Sequence, residues 1–387
     1  MADPDSSELV VARLTDWSAF ASLRAEWNAL AAECVRPSVF LTHEWFDAAW
    51  QWKGRDASLC ALCARRAGRL VGALPLVRSV RRSRSGNRRV VEFLAVPDTQ
   101  LCDLLVLPGD RQAVVESFTS ALEQSEGEWD VLDLGYLPEG SVTEAELVPS
   151  FLRRRHRVAL EAAGSNPYID LEGAWDAYYA TRSRSLKKAN NLAANRIVKA
   201  GDVQVDWHEP GTFAAAQVPG IVEKLASISG RSWKRETGNS LDQPGPQAFI
   251  RQLSELAAQR NWLSVWTLGL NGVPVAMEYQ LVFDGDVHAL RSDFDAAFGD
   301  ISPGSHLNRQ LLERLFCGRF ERYYMGPGEN AYKLRWTDRS EALRRATVYA
   351  RTARGRVAAA VDLRLAPLAR RVRAMLRRGD AVPNEEK

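Results

Sequence analysis

The chain has 387 residues, 46% of them apolar, and a net charge of +3. These values describe a globular protein with room for two domains or three, and exclude a fibrous or disordered chain. Five scattered cysteines (Cys34, Cys60, Cys63, Cys102, Cys317) exclude a disulfide scaffold, and no apolar run reaches the roughly 18 residues of a membrane span.

The start, Met1-Ala2-Asp3-Pro4-Asp5, is acidic and lacks the apolar centre of a secretory leader, so a cytoplasmic protein is expected. Leu9, Leu14, Trp17, Phe20, Leu23, Trp27 and Leu30 then recur at helical spacing and predict a helix over 8–32. Thr42 is a good cap for a second helix over 43–50. Strands follow at 58–64 and 70–77. Cys60 and Cys63 stand in the first of these in C-x-x-C spacing, with no second pair or nearby His, and read as structural. A basic hairpin loop at 81–89, strands at 90–95 and 102–107, a helix at 111–124 and a strand at 130–135 complete the first half. Residues 138–150 read as a connector and 157–161 as a further strand.

Pro167-Tyr168-Ile169-Asp170-Leu171 opens the second half. A long basic helix is predicted over 174–199, ending at Gly201, then a strand at 203–207 and helices at 217–235 and 245–259. The strand at 263–268 turns at Asn271-Gly272, a strong hairpin signal, into strand 273–283. Asp284-Gly285-Asp286 turns into strand 287–293, followed by a loop to Gly304, a helix at 305–317 and a strand at 321–326. Both halves therefore read strand, Pro-Gly loop, helix, strand, Gly turn, the first from 104–109 to 129–135 and the second from 287–304 to 323–328. The pattern predicts an α/β (α+β) protein with two similar domains, 1–162 and 163–345, each a mixed, mostly antiparallel sheet flanked by helices. Residues 344–378 hold eleven arginines against the single acid Asp362, a local charge of +10, so the rest of the chain carries −7. The tail, 346–387, is expected to be helical. Val357, Val361, Leu365, Leu368 and Val372 lie among its arginines. Such a stripe over 354–378 suits an anionic membrane surface, such as the inner face of the plasma membrane, and equally a partner or a solvated helix. The tail lacks the aromatics that nucleic-acid bases stack on.

Four motifs bear chemistry. Ser302-Pro303-Gly304-Ser305-His306 joins a glycine that admits close backbone approach to a capping serine at a helix start, where free N–H groups suit a pyrophosphate. Its first-half counterpart has Asp110, which would compete for those N–H groups, so the cofactor is expected in the second half. Gly326 to Trp336 sets a base (Glu329), a phenol (Tyr332) and a cation (Lys333) at the end of a strand. Asp293, on the strand feeding the loop, is a second base candidate or a partner for Arg291. On the acceptor side Arg184, Lys187, Lys188, Arg291 and Trp336 are candidates, the first three from a basic helix face. No metal site is expected.

Taken in order, Pro37 to Phe46, Leu74-Pro75-Leu76, Arg182 to Lys188, Phe294-Asp295-Ala296-Ala297-Phe298 with Ser302-Pro303-Gly304, and Gly328 to Lys333 with Trp336 resemble the GNAT acetyltransferase superfamily. The branch is that of bacterial cellulose-biosynthesis acetyltransferases, similar to Fem peptidyltransferases in having tandem GNAT domains. The resemblance covers about 8–345 and implies two GNAT-like domains, the first without cofactor. It further implies acyl transfer from acetyl-CoA or another acyl-CoA, held by the second domain, to an amine of a sugar, envelope precursor or small metabolite. Lys333 falls where Fem-type relatives place a lysine that stabilises charge on the acyl donor. Ser302-Pro303-Gly304 is shorter than the usual GNAT phosphate signature. Two alternatives stay open: a Fem-like transferase using aminoacyl-tRNA, and a non-catalytic accessory protein of polysaccharide synthesis.

Overall fold

The first apolar segment divides by propensity. In the computed structural model, which describes residues 8–83 and 86–365, Leu9–Leu14 is a strand paired antiparallel with Ala61–Arg66. Adjacent β-branched Val10 and Val11 favour extended backbone. Helices Trp17–Ala21 and Arg24–Glu33 form only after Asp16, whose carboxylate accepts the Ala19 N–H at 3.0 Å. The helix expected over 8–32 is thus a strand and two helices. Thr42 caps the next helix, His43–Lys53, as its sequence implied, accepting the Trp45 N–H.

A hairpin then bends from one sheet into another. Cys60 separates Ala57–Leu59 from Ala61–Arg66, and Pro75, which has no N–H for a ladder, separates Arg69–Leu74 from Leu76–Ser83. The inner pieces join Leu9–Leu14 and Leu105–Val106 in a four-stranded sheet, and the outer pieces belong to an eleven-stranded one. Strands run to Ser83 and from Gly86, so 81–83 and 86–89 of the expected loop are strand, and 84–85 lie outside the described residues.

The repeated strand–helix–strand unit is present, with one displacement. Gly86–Phe93 pairs in parallel with Val131–Pro138, and helix Arg111–Gln124 lies between them in sequence. Asp286–Phe294 pairs in parallel with Arg322–Tyr324 across helix Pro303–Phe316. The first-half strand of the unit is therefore 86–93. The segment expected in that role, 104–107, contributes only Leu105–Val106, antiparallel to Arg69–Leu74 in the smaller sheet. Both sheets are mostly antiparallel and flanked by helices, and the helix expected over 174–199 is two, Trp175–Thr181 and Arg184–Ala200. Ser183 caps the second by accepting the Leu186 N–H at 3.2 Å.

One strand crosses from half to half. Arg157–Asp170 pairs through its first part with Ser340–Tyr349 and through Tyr168–Asp170 with Arg322–Tyr324. Ser340–Tyr349 in turn pairs with Val131–Pro138. The expected start of a helical tail at 346 thus falls inside a strand, and the helix begins at Ala353. Positions 366–378, with the rest of the expected tail to 387, lie outside the described residues, as does the start 1–7. Packing also joins the halves. Trp45 meets Phe249 edge-on at 5.4 Å, and Gly245 lies so close to the Trp52 ring that a methyl there would collide at 2.4 Å. No helix among the described residues is long and apolar enough to cross a membrane.

Candidate active site

The two parallel strands of the second half share only three pairs, ending at His288↔Tyr324. Beyond this point Asp286–Phe294 keeps its other neighbour, Val273–Phe283, with a bulge that leaves Leu290 unopposed between Ala289 and Arg291. On the other side Gly326 turns left-handed (φ 81) and leads the chain away. A cavity of about 610 Å³ opens where the strands part, bounded by Ala289 to Ser292 on one strand and Met325 to Pro327 on the other. That volume suits a small-molecule site.

The amino end of helix Pro303–Phe316 forms one rim through Gly304 and Ser305. Ser302, left-handed at φ 55 and ψ 54, is the capping residue, and Ser305 is the third residue of the helix rather than its cap. No side chain accepts from this end and its first turn has no acidic residue, so its partial positive charge is uncompensated from within the helix. Ser302, Pro303 and His306 do not line the cavity; Pro303 and His306 are buried. The first-half counterpart differs from expectation. Asp110 makes no capping hydrogen bond, because Arg66 Nε takes its carboxylate at 2.6 Å.

Inside the cavity the most unusual group is Glu278, in the middle of Val273–Phe283 and 1% exposed. Its Oε1 accepts from the Tyr323 hydroxyl at 2.6 Å and from Gln280 Nε2 at 2.8 Å. Burial lifts its pKa above the usual carboxylate value, and these neutral donors only partly oppose the rise. Lys333 is likewise buried and lines the cavity, donating to the carbonyls of Gly326 (2.8 Å) and Pro327 (3.2 Å). Burial first, and then repulsion by Lys234, lowers its pKa to about 8. Tyr332, half-exposed, and buried Trp336 complete this wall.

Other expected residues lie elsewhere. Glu329 is exposed, accepts from Ser165 Oγ at 3.0 Å and does not line the cavity. Asp293 is buried outside the lining, held by Ser229 Oγ at 2.7 Å and by an ion pair with Lys234. Arg291 does line the cavity, but its guanidinium is spent on Asp98 at 2.6 Å and on Asn239. Helix Arg184–Ala200 turns Leu186, Ala189 and Asn190 inward. Arg184 and Lys188 are exposed, and Lys187 Nζ donates to the Ala180 carbonyl at 2.7 Å, so none of the three reaches the cavity. One group with metal-like spacing exists among the described residues, Glu123, Glu126 and His156; none of the three lines the cavity, and Arg351 bonds both carboxylates.

Among the cavity residues that the sequence did not single out are Glu278, Asp98, Gln100 and Lys234. Glu278 left a signal, being the one charge among Val275-Ala276-Met277-Glu278-Tyr279-Gln280-Leu281, where a buried strand has no cheap place for it. Asp98 and Gln100 left none, since they come from the first half of the chain.

Residues 183–334 match the family model described as an acetyltransferase (GNAT) domain. No curated protein matches the chain. Among solved structures it is similar to the C-terminal domain (DUF2156) of a putative lysylphosphatidylglycerol synthetase from Agrobacterium fabrum, with TM-score 0.53 and 12% identity over 88% of this chain and 97% of that one. A conserved protein of unknown function from Bacteroides thetaiotaomicron gives 0.53 and 11% over 88% and 100%. FemX gives 0.52 and 10% over 88% and 97%. At such identities these likenesses speak for the fold.

Proposed function

We propose that this chain, whose residues 183–334 match a GNAT acetyltransferase domain and whose fold is similar to that of FemX, is an acyl-CoA-dependent N-acyltransferase working by direct transfer. In this reading 1–162 and 163–345 are two GNAT-like units and only the second takes the donor, acetyl-CoA or another acyl-CoA. The observation that carries it is the parting of the strands after His288 and Tyr324, with a helix end that has no side-chain cap bond on the rim and Glu278 and Lys333 inside. The donor diphosphate would lie against Gly304 and Ser305, and the thioester would enter between the strands. The acceptor nitrogen attacks the thioester carbonyl, its proton passes to the Glu278 carboxylate, and the carbon–sulfur bond breaks as the amide forms. Lys333, with one N–H left after its two carbonyl partners, would stabilise the oxyanion or protonate the departing thiolate. The acceptor would be an amine of a sugar, an envelope precursor or a small metabolite. Such a donor places the work in the cytoplasm, with 354–378 offering contact to an anionic membrane face.

A second reading keeps the site and changes the donor to an aminoacyl-tRNA. The exposed cations Arg184 and Lys188 favour it, since they lie on a helix that walls the cavity, where a polyanion too large to enter would rest. Calorimetry separates the two. Acetyl-CoA binding that depends little on salt supports the first; binding of charged tRNA alone, weakening steeply with salt, supports the second. Binding of neither leaves the accessory role.

A further inference from the structure

Strands that part leave carbonyls without ladder donors, and a buried carbonyl left bare costs about 1–3 kcal/mol. Here three carbonyls just past His288↔Tyr324 find substitutes. Lys333 serves Gly326 and Pro327 on one side. On the other, Gln100 Nε2 donates to the Ala289 carbonyl at 2.8 Å. Both donors crowd Gly326: a methyl placed there would lie 3.3 Å from the Ala289 oxygen, 3.7 Å from Gln100 Nε2 and 3.9 Å from Lys333 Nζ.

Gln100 comes from the first half of the chain and is 1% exposed. Its amide orientation is fixed from both ends, because Oε1 faces two donors, Asn166 Nδ2 at 3.2 Å and His288 Nδ1 at 3.3 Å. Burial holds His288 neutral, its pKa lowered to about 3; with Gln100 Nε2 given to the Ala289 carbonyl, Oε1 can only accept, which selects the His288 tautomer protonated at Nδ1. Two residues earlier in the same loop, Asp98 holds Arg291. The loop therefore grips the strand at Ala289 and at Arg291, on both sides of the bulged Leu290.

We propose that Gln100 is a positioning residue that stands in for the missing strand neighbour and keeps the donor cleft open, so that the first half of the chain sets the shape of the site in the second. The effect on donor binding rests on the acyl-donor reading; the effect on the strands does not.

Two substitutions test it. Gln100→Leu keeps bulk and removes the amide. Donor affinity should fall at least about tenfold in calorimetry, and amide exchange should speed up in 289–294 and 325–328 while 131–138 stays unchanged. In Gln100→Glu the new carboxyl can donate to the Ala289 oxygen only when protonated. Relative to wild type at the same pH, its donor affinity should drop about tenfold between about pH 5.5 and about pH 7.5, with exchange in the two strands rising in step. The titratable groups nearest this amide, His288 and Lys333, are present in wild type too, which supplies their baseline; a carboxylate at 100 would raise both, so the rise in strand exchange is the readout that reports loss of the Ala289 bond. A Gln100→Leu variant with wild-type affinity and exchange, or a Gln100→Glu variant with the wild-type pH response, overturns the proposal. A wild-type protein that binds no acyl donor overturns the donor reading instead. The exchange data then decide alone: faster exchange confined to the two strands supports Gln100, and unchanged exchange removes it.

Discussion

Burial displaces Glu278 and Lys333 in opposite senses, upward for the acid and downward to about 8 for the amine. A carboxyl that holds its proton more tightly than usual is a better proton acceptor near neutrality, and an amine that releases its proton more easily is a better donor. The rate should therefore rise with pH across the elevated Glu278 pKa, since only the carboxylate accepts a proton. It should fall again near about 8, as Lys333 discharges. In kcat/KM measured against pH, Glu278→Gln should lose the acid limb and about 10²–10⁴-fold in rate, with donor affinity little altered. Glu329→Gln is the control: exposed and bonded to Ser165, it should stay within about twofold of wild type. An acid limb that survives Glu278→Gln removes this residue as the base. The sequence marked Lys333 by its place after a Gly turn, but drew Glu329 in with it. Nothing local distinguishes an acid facing a cavity from one facing water three or four residues away.

Elements with their own end signals were legible and elements defined by distant partners were not. Helix Arg111–Gln124 and strand Val273–Phe283 lie where periodicity put them, and Asn271 and Gly272 take the positive φ values, 51 and 77, that their hairpin requires. Leu9–Leu14 was missed because its pairing partner begins near residue 61. The break at Arg182-Ser183 was missed because no Gly or Pro marks it between 174 and 199. Helix Pro303–Phe316 falls between these cases: its Gly304 lines the cavity, while Ser302, by turning left-handed, starts the helix earlier than Ser305 implied. Gly304 is the test of this element. A Cβ there would stand 3.2 Å from the Phe294 ring, at the rim of the cavity. Gly304→Val should weaken donor binding at least about tenfold by calorimetry, while far-UV dichroism stays that of wild type. An unchanged affinity would move the diphosphate away from this helix.

At the scale of the molecule the halves are bound by a shared sheet, by packing of His43–Lys53 on Pro244–Gln259, and by buried charge. The Asp98–Arg291 pair links them at 2.6 Å with both side chains almost fully hidden. Removing one partner strands the other, so Arg291→Ala should lower stability by about 3–5 kcal/mol in urea unfolding. A loss below about 1 kcal/mol would mean that water reaches Asp98. Strand Ser340–Tyr349 has a different consequence. Its slot is framed by Val131–Pro138 and Arg157–Asp170, both made much earlier in the chain. During translation at roughly 5–20 residues per second, those two edges stand open for on the order of ten seconds or more before their filler leaves the ribosome. For that interval the nascent protein carries two unmatched strand rims, the kind of surface on which neighbouring chains aggregate and which chaperones shield.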